Sequence, residues 1–281
     1  MAAPDTLAPS ATAPGLTQAE LFFFDNNGYL VLENFLEADH VARLTEAVDR
    51  AVARRRRDMD TQPFLKRITQ KTGAKSTRIL YILDEDPLLQ EMLDWPAMIP
   101  YVKALMGPLF HHLACDAIVE YGGDLMARSP DWHIDGNFGG YRSLGYPIPL
   151  MQLKVGYYLT DMTEPGNANL TVVPGSHKAA FMPAPEDLKR PDLFPGAVQV
   201  CAPAGTAILF HNAIWHTASA FASPEHRRTM LYYAYEHPYM LGCEECWYYD
   251  KDFFNRRLKP ERHKYFHGLF FEPHEHRQGW G

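Results

Sequence analysis

Trp132-His133-Ile134-Asp135-Gly136 places a histidine and a carboxylate two residues apart, between a proline and a glycine-rich run. On an extended strand, residues i and i+2 project to the same face. We therefore expect His133 and Asp135 to point together. A neutral imidazole and a carboxylate aimed at one point are two of the three ligands of a 2-His-1-carboxylate metal site, so the rest of the chain must supply a second histidine.

The composition of the chain limits the classes of protein to which it can belong. The chain has 281 residues, 46% of them hydrophobic and 13% aromatic, which suits one large domain with a substantial core. The formal net charge of -7 argues against a general nucleic-acid binder, because such proteins draw most of their affinity from clustered positive charge. One basic run, Arg54 to Arg57, is interpreted as the solvated C-terminal end of a helix and not as a phosphate site.

No segment approaches the roughly 18 consecutive apolar residues that a membrane span needs. Residues 1–15 lack the basic and apolar regions of a signal peptide and predict a disordered tail. We expect a single domain over residues 16–281, in a reducing, cytoplasmic setting. Its aromatic extension, residues 235–281, either packs on the body of the domain or covers the active site. Cys243 and Cys246 form a lone C-x-x-C motif, which is too few ligands for a structural zinc site.

Predicted helices come first and short strands later. Thr17 and Glu20 have the spacing of a capping box, and a helical stripe of apolar residues runs from Asp39, the predicted N-cap, to about Met59. Met151 to Leu159 alternates apolar and polar residues, which predicts a strand whose polar face either meets solvent or lines a barrel. This order favours an α+β, mainly β domain built as a sandwich or barrel.

Two histidines near the end of the strand that starts at Gly205 could complete the metal site, His211 and His216. A polar loop then leads to Arg227 and Arg228, which open another predicted strand. Arginine offers a planar, bidentate and permanently charged donor for a carboxylate.

Together these motifs resemble the phytanoyl-CoA dioxygenase family of Fe(II)/2-oxoglutarate oxygenases. The motifs are His133-x-Asp135, Asn167-x-Asn169 leading into Val172-Val173-Pro174-Gly175-Ser176-His177, and Trp215-His216 with an arginine eleven positions on. Gly28-Tyr29-Leu30-Val31-Leu32, followed by a long helix, also looks like that family's opening. The likeness covers roughly residues 17 to 235.

The resemblance implies a double-stranded β-helix, the jelly-roll barrel of the cupins, with flanking N-terminal helices and a metal at its mouth. It assigns Fe(II) binding and catalysis to His133, Asp135 and His216, and the 2-oxoglutarate carboxylate to Arg227, with O2 as the second co-substrate. If His211 were the ligand, the arginine spacing would lengthen to sixteen residues and the match would fail. His211 is therefore interpreted as structural.

Two further residues are candidate contacts for 2-oxoglutarate. Thr229 shares a strand face with Arg227 and could donate a hydroxyl to the same carboxylate, which favours Arg227 over Arg228. A one-residue difference in the preceding loop would swap the two arginines. Gln152, on the polar face of the strand that begins near Met151, is the other candidate.

Asp135 also bears on the reaction. Relatives that halogenate have a small residue in place of this carboxylate, so the retained carboxylate favours hydroxylation of an unactivated C–H bond, with release of succinate and CO2. Desaturation, epoxidation or ring formation at the same iron site, or a non-catalytic cupin-like binding protein, are the alternatives. We expect a small-metabolite substrate contacted by the loop from Gly136 to Leu150, no nucleic-acid or membrane partner, and either a monomer or a homodimer.

Overall fold

A computed structural model of the chain describes residues 15–126, 128–135, 144–189, 196–240 and 249–266. Six α-helices lie within these residues: α1 (Gln18–Asn27), α2 (Ala38–Asp58), α3 (Pro63–Arg67), α4 (Pro87–Glu91), α5 (Ile99–Met106) and α6 (Gly122–Leu125). Ten strands do so as well: β1 (Tyr29–Leu32), β2 (Thr69–Thr72), β3 (Ser76–Leu80), β4 (His111–Tyr121), β5 (Gln152–Tyr158), β6 (Leu170–Val172), β7 (Val198–Gln199), β8 (Ala207–His211), β9 (His216–Ala218) and β10 (Arg227–Glu236). In this part of the chain, every helix is too short or too polar to span a bilayer.

The predicted capping box is present at the start of α1. The Thr17 hydroxyl accepts a hydrogen bond from the Glu20 amide (3.2 Å), and the Glu20 carboxylate accepts one from the Thr17 amide (2.7 Å). Gly28 ends the helix at φ +81°, a left-handed conformation that glycine adopts without strain. A Cβ atom at this position would lie 2.4 Å from Nδ1 of His177. The turn into β1 therefore requires glycine.

The long helix α2 covers the large sheet. Leu44 and Val48, from its predicted apolar stripe, are fully buried. Its N-cap is Glu37 and not Asp39 as predicted. Asp39 instead lies in the first turn, where its negative charge still suits the positive end of the helix dipole.

The basic run at the end of α2 is not the solvated helix terminus that we predicted. Arg55 is buried, pairs with Glu85 at 2.6 Å, and donates hydrogen bonds to the backbone carbonyls of Leu80 and Tyr81. Arg54 binds the same carboxylate. A buried guanidinium is tolerated here because its charge and its donors are satisfied. The run therefore fastens α2 to the segment that follows β3.

The strands form two antiparallel sheets. The large sheet has the order β1-β8-β5-β10-β4-β3-β2, and the small sheet has the order β7-β6-β9. Strands that pair in space are often far apart in sequence, which is typical of a jelly roll. The predicted mainly β, double-stranded β-helix with N-terminal helices is confirmed.

Alternation gives the large sheet two different faces. Leu209 and Leu231 point to the helices, whereas Phe210 and Met230 point to the small sheet and pack with Val172. We call the second of these the barrel face. Because successive residues of a strand alternate between faces, a shift of one residue moves a side chain from the barrel interior to the helix side.

The described part of the C-terminal extension packs on the helix side of the large sheet. It forms a π-helix, Phe253–Arg257, and a 3-10 helix, Pro260–Phe266. Phe253 and Phe266 are buried in the core. Of the two alternatives predicted for the extension, its described part follows the one in which it packs on the body of the domain. The segments 241–248 and 267–281, with Cys243 and Cys246, lie outside the described residues, as does the predicted tail up to residue 14, and the proposed domain limits stay a prediction.

Candidate active site

Two of the predicted metal ligands are held side by side by the backbone. His133 and His216 face each other across an antiparallel bridge, in which each amide donates to the other's carbonyl at 3.0 Å. Their ring centroids are 4.2 Å apart. Asp135 is tied to the same region, because its amide donates to the carbonyl of Asn212 at 2.8 Å. Backbone hydrogen bonds therefore position all three ligand residues.

The tautomer of each histidine follows from its second ring nitrogen. Nδ1 of His133 lies 2.7 Å from the carbonyl oxygen of Asp131, and Nδ1 of His216 lies 3.0 Å from that of Ile214. A carbonyl oxygen can only accept, so each Nδ1 carries a proton and each Nε2 presents a lone pair. Burial, and then the neighbouring His133, lower the pKa of His216 to about 3. The ring is therefore neutral, as metal binding requires.

Asp135 has one carboxylate oxygen bonded and the other free. Oδ1 accepts a hydrogen bond from the Lys154 ammonium at 3.2 Å. Oδ2 is buried without a hydrogen-bond partner among the described residues, and it lies 3.9 Å from Nε2 of His216. Burial alone would raise the pKa of Asp135, but Lys154 and the two histidines outweigh it and lower the pKa to about 2. The carboxylate is therefore ionised.

These three side chains fit a divalent metal ion. Their ligand atoms all lie within 4.8 Å of one another. A buried carboxylate oxygen without a partner, next to two ring nitrogens that carry lone pairs, is costly unless a cation lies between them. Two imidazoles and one carboxylate form the donor set of non-haem Fe(II) sites that leave coordination positions open.

A cavity of about 110 Å³ extends from the metal ligands into the barrel. His133 and His216 line one end of it, and Arg228 lines the wall with Lys154 and Tyr232. The other lining residues are Arg78, Ile118, Glu120, Arg128, Leu170, Phe210, Thr217 and Ala218. The cavity thus joins the metal group to a buried arginine.

Arg228 lies on the barrel face of β10 with only 3% of its side chain exposed. Its Nη1 donates to Glu120 at 2.9 Å, and its Nη2 donates to the Tyr232 hydroxyl at 3.1 Å. Nε is buried and has no partner among the described residues. Burial opposes the charge, but Tyr232 and Glu120 raise the pKa of Arg228, so it stays cationic. An unbonded guanidinium N–H beside a cavity is suited to bind an anion.

The cavity carries an excess of positive charge. Its four cationic side chains are paired with three carboxylates: Arg78 with Asp116, Lys154 with Asp135, and both Arg228 and Arg128 with Glu120. One positive charge is left over before any metal binds. A divalent cation would raise that excess to three, which suits a dianionic ligand.

Arg227 does not line this cavity, contrary to the prediction. It lies on the helix-side face of β10, where it pairs with Asp49 of α2 and donates from Nε to the Thr229 hydroxyl at 3.0 Å. Arg227 and Thr229 therefore share a strand face, as predicted, but that face points to the helices. On the cavity side of β10 the structure instead brings together Arg228 and the hydroxyl of Tyr232.

Gln152 is on the barrel face, which is one of the two alternatives left open by the sequence, but it is not part of the cavity wall. It lies two residues before Lys154 on β5, whereas the cavity extends from Lys154 towards Arg228. The structure therefore does not bring Gln152 to the arginine that it was expected to assist.

His211 and His177 lie outside the metal group. The Nδ1 of His211 accepts a hydrogen bond from the Ala213 amide at 3.0 Å, and its ring is 5.0 Å from that of His177. The Nε2 of His177 lies 2.9 Å from the carbonyl oxygen of Asp25 at the end of α1. Both rings make contacts outside the metal group, which suits the structural interpretation of His211.

Lys154, Glu120 and Tyr232 are among the cavity residues that the sequence did not predict. A lysine in the middle of the alternating strand β5 was a usable signal, because a charged residue between buried neighbours needs a partner. Glu120 gives a similar signal within the long strand β4. Of the predicted substrate loop, residues 136–143 lie outside the described residues, with Asn137, Phe138, Tyr141 and Arg142.

Residues 24–229 match the family model "Phytanoyl-CoA dioxygenase (PhyH)". The chain belongs to this family. It is a non-haem Fe(II)/2-oxoglutarate dioxygenase, an oxidoreductase that uses Fe(II), 2-oxoglutarate and O2. The predicted alternative of a non-catalytic binding protein is therefore unsupported. No curated protein sequence matches this dioxygenase at a significant level.

Solved structures share the dioxygenase fold. HygX from Streptomyces hygroscopicus, with nickel and 2-oxoglutarate bound, has a TM-score of 0.61 and 18% identity over 82% of this chain and 90% of HygX. EctD from S. alaskensis, with bound Fe, has a TM-score of 0.65 and 22% identity over 81% and 79% of the two chains. SnoK, a non-heme alpha ketoglutarate dependent carbocyclase from nogalamycin biosynthesis, has a TM-score of 0.57 and 20% identity over 79% and 84%. At these identities the likeness establishes the fold alone.

Proposed function

We propose that this dioxygenase hydroxylates an unactivated C–H bond of a small metabolite, with His133, Asp135 and His216 as its iron ligands. The observation that carries the proposal is the grouping of their three ligand atoms within 4.8 Å at the end of a cationic cavity. When bound, iron would activate O2, which is the oxidant: two electrons come from 2-oxoglutarate as it is converted to succinate and CO2, and two come from the C–H bond.

Lys154 orients the carboxylate ligand. Its ammonium holds Oδ1 of Asp135 at 3.2 Å and leaves Oδ2 towards His216. Asp135 would then offer the metal one oxygen and not two. Partners of this kind fix the direction of a ligand and tune its donor strength.

Arg228 is proposed to bind the distal carboxylate of 2-oxoglutarate. Its unbonded Nε–H and its low exposure support this role. Glu120 and Tyr232 hold the other nitrogens of the guanidinium, so its plane is fixed before the co-substrate arrives. Pre-ordered donors in a dry cavity bind an anion more strongly than the same groups in water.

Hydroxylation is preferred to halogenation because Asp135 occupies the position that a halide would need. Ring formation, the reaction named for SnoK, is the alternative outcome together with desaturation and epoxidation, since these reactions share the ligand set and differ in how the substrate lies. HygX has been solved with hygromycin B, and EctD with 5-hydroxyectoine. These complexes support a small-molecule substrate here too, and cysteine usage supports a cytoplasmic setting.

The test begins under argon. Addition of Fe(II) and 2-oxoglutarate to the purified protein is expected to produce the weak visible absorption of the chelate, and its absence would contradict the proposed iron ligands. Oxygen is then admitted in a metabolite screen scored by succinate release, with products identified by mass spectrometry. A product that gains one oxygen atom as a hydroxyl group supports hydroxylation, one that gains it as an epoxide ring supports epoxidation, and one that only loses two hydrogens supports desaturation or ring formation.

A further inference from the structure

The barrel face of the large sheet is built in layers, and one of them is polar and short of partners. Asn212, Gln152 and Glu236 lie side by side after β8, at the start of β5 and at the end of β10. Gln152 and Glu236 are register partners, and the Asn212 amide donates to the Gln152 carbonyl at 3.2 Å. Cross-strand neighbours of this kind have Cβ atoms about 5 Å apart. We call this group the polar layer.

The polar layer lies on the other side of the metal ligands from Arg228. Lys154, which binds Asp135, is two residues after Gln152, so the layer is about 7 Å further along β5 at a strand rise of about 3.3 Å per residue. The carbonyl of Asn212 accepts the amide of Asp135 at 2.8 Å. The layer is therefore tied to the metal ligands but separate from the cavity that ends at Arg228.

Two members of the polar layer, Glu236 and Asn212, have unused hydrogen-bonding capacity. Glu236 is 1% exposed, and its Oε1 has no partner among the described residues. Asn212 is fully buried; its Oδ1 accepts from the amides of Met151 and Gln152, but its Nδ2 donates to nothing in the described part of the chain. Buried polar atoms without partners cost stability, so two of them close together beside the metal ligands indicate a binding position for a polar ligand.

The chemistry of the layer favours a cation. Oε1 of Glu236 is a buried acceptor, and burial raises the pKa of this carboxyl group to about 8, so a bound cation would stabilise its ionised form. An ammonium group would supply a positive charge next to the Glu236 carboxylate and several N–H donors. Nδ2 of Asn212 is a donor, so it needs an oxygen acceptor close to that ammonium. An amine next to a hydroxyl meets both needs.

We propose that the polar layer of Asn212, Gln152 and Glu236 binds the primary substrate, and that it selects an amino alcohol by pairing its ammonium group with Glu236. This inference rests on the proposed function, since it places the substrate beside the iron ligands. Glu236 acts as a specificity-determining residue, and Gln152 contacts this substrate and not 2-oxoglutarate.

The test is calorimetric titration of the Fe(II)·2-oxoglutarate complex under argon at about pH 8.5, above the pKa of about 8 of Glu236, so that its carboxylate is ionised. Three probes share one six-membered ring: trans-2-aminocyclohexanol, trans-1,2-cyclohexanediol and trans-2-hydroxycyclohexanecarboxylate. The amine is expected to bind about tenfold or more tightly than the diol, because a charge-assisted hydrogen bond replaces a neutral one. The carboxylate is expected to bind most weakly. A diol or a carboxylate that binds as tightly as the amine overturns the proposal.

Two variants sharpen the result. Glu236→Gln keeps the shape but removes the charge, and it is expected to bring the amine and the diol within about twofold of each other. Glu33→Gln, which removes an exposed carboxylate far from the layer in sequence, is the matched control and should keep the full preference. An amine preference that survives in Glu236→Gln refutes the assignment. The ranking of probes on the unaltered protein needs no variant, so poor folding of Glu236→Gln leaves the proposal testable.

The experiments distinguish failure of the proposed function from failure of the polar-layer assignment. If the visible absorption of the chelate does not form, the proposed iron ligands are wrong and the polar layer loses its role with them. If the absorption forms and the probes show no amine preference, only the assignment of the polar layer is refuted.

Discussion

The choice between Arg228 and Arg227 can be tested by making the same substitution at two adjacent positions. Arg228→Lys keeps the positive charge in the cavity but removes the fixed fork of N–H donors, including the Nε–H that has no partner among the described residues. Arg227→Lys makes the identical chemical change on the opposite face of β10, where the side chain meets Asp49 of α2.

The size of the effect follows from the hydrogen bonds at stake. A charge-assisted hydrogen bond contributes about 1.5 to 3 kcal/mol. Loss of one such bond to the distal carboxylate of 2-oxoglutarate weakens binding by roughly 10- to 150-fold. Arg227→Lys should alter the affinity by no more than about twofold, because exposed ion pairs contribute little and this one lies outside the cavity.

The assay is an anaerobic titration with 2-oxoglutarate, followed through the visible absorption of the chelate, together with the KM for 2-oxoglutarate in succinate release. Melting temperatures of both variants separate affinity from stability, since Arg228 also pairs with buried Glu120. A larger loss of affinity in Arg227→Lys than in Arg228→Lys would falsify the structural assignment and restore the choice made from sequence.

His216→Ala is expected to abolish iron binding and succinate release, whereas His211→Ala keeps both in metal titrations; the reverse result would move the ligand. Lys154→Met frees Oδ1 of Asp135 and is expected to weaken Fe(II) affinity by roughly 10- to 100-fold in competition with a chelator, so unchanged affinity would exclude an orienting role. Glu236 keeps its proton to about pH 8 when folded but loses it near its ordinary pKa of 4.5 when unfolded, so stability falls as pH rises between those values. Glu236→Gln should flatten the melting temperature against pH, and parallel profiles would contradict the raised pKa.

The grouping of the three proposed iron ligands could be predicted because much of its signal is local and chemical. His133 and Asp135 are expected on one face by strand alternation, and His216 was preferred to His211 because an arginine eleven positions on completes the family resemblance. The same alternation could not choose between Arg227 and Arg228. That choice depends on which face of β10 meets the helices, and this is set by the path of the chain between His216 and Arg227, which spacing does not reveal.

Burial was the other property that the sequence left open. The polar face of β5 could have met solvent or lined the barrel, so the pairing of Lys154 with Asp135 was not predicted. The same uncertainty affected Arg55, which was placed in solvent but is buried against Glu85. In both cases the partner is distant in sequence, and only the folded sheet brings the two charges together.

The reciprocal backbone bridge between His133 and His216 has a consequence for the metal that the protein carries in a cell. Backbone hydrogen bonds hold the two rings side by side, so little ordering is left for a metal to impose. A preformed site with nitrogen and oxygen donors binds Co(II), Ni(II), Cu(II) and Zn(II) more tightly than Fe(II), following the Irving–Williams order. Iron occupancy then depends on the supply of metals around the protein and not on discrimination by the site.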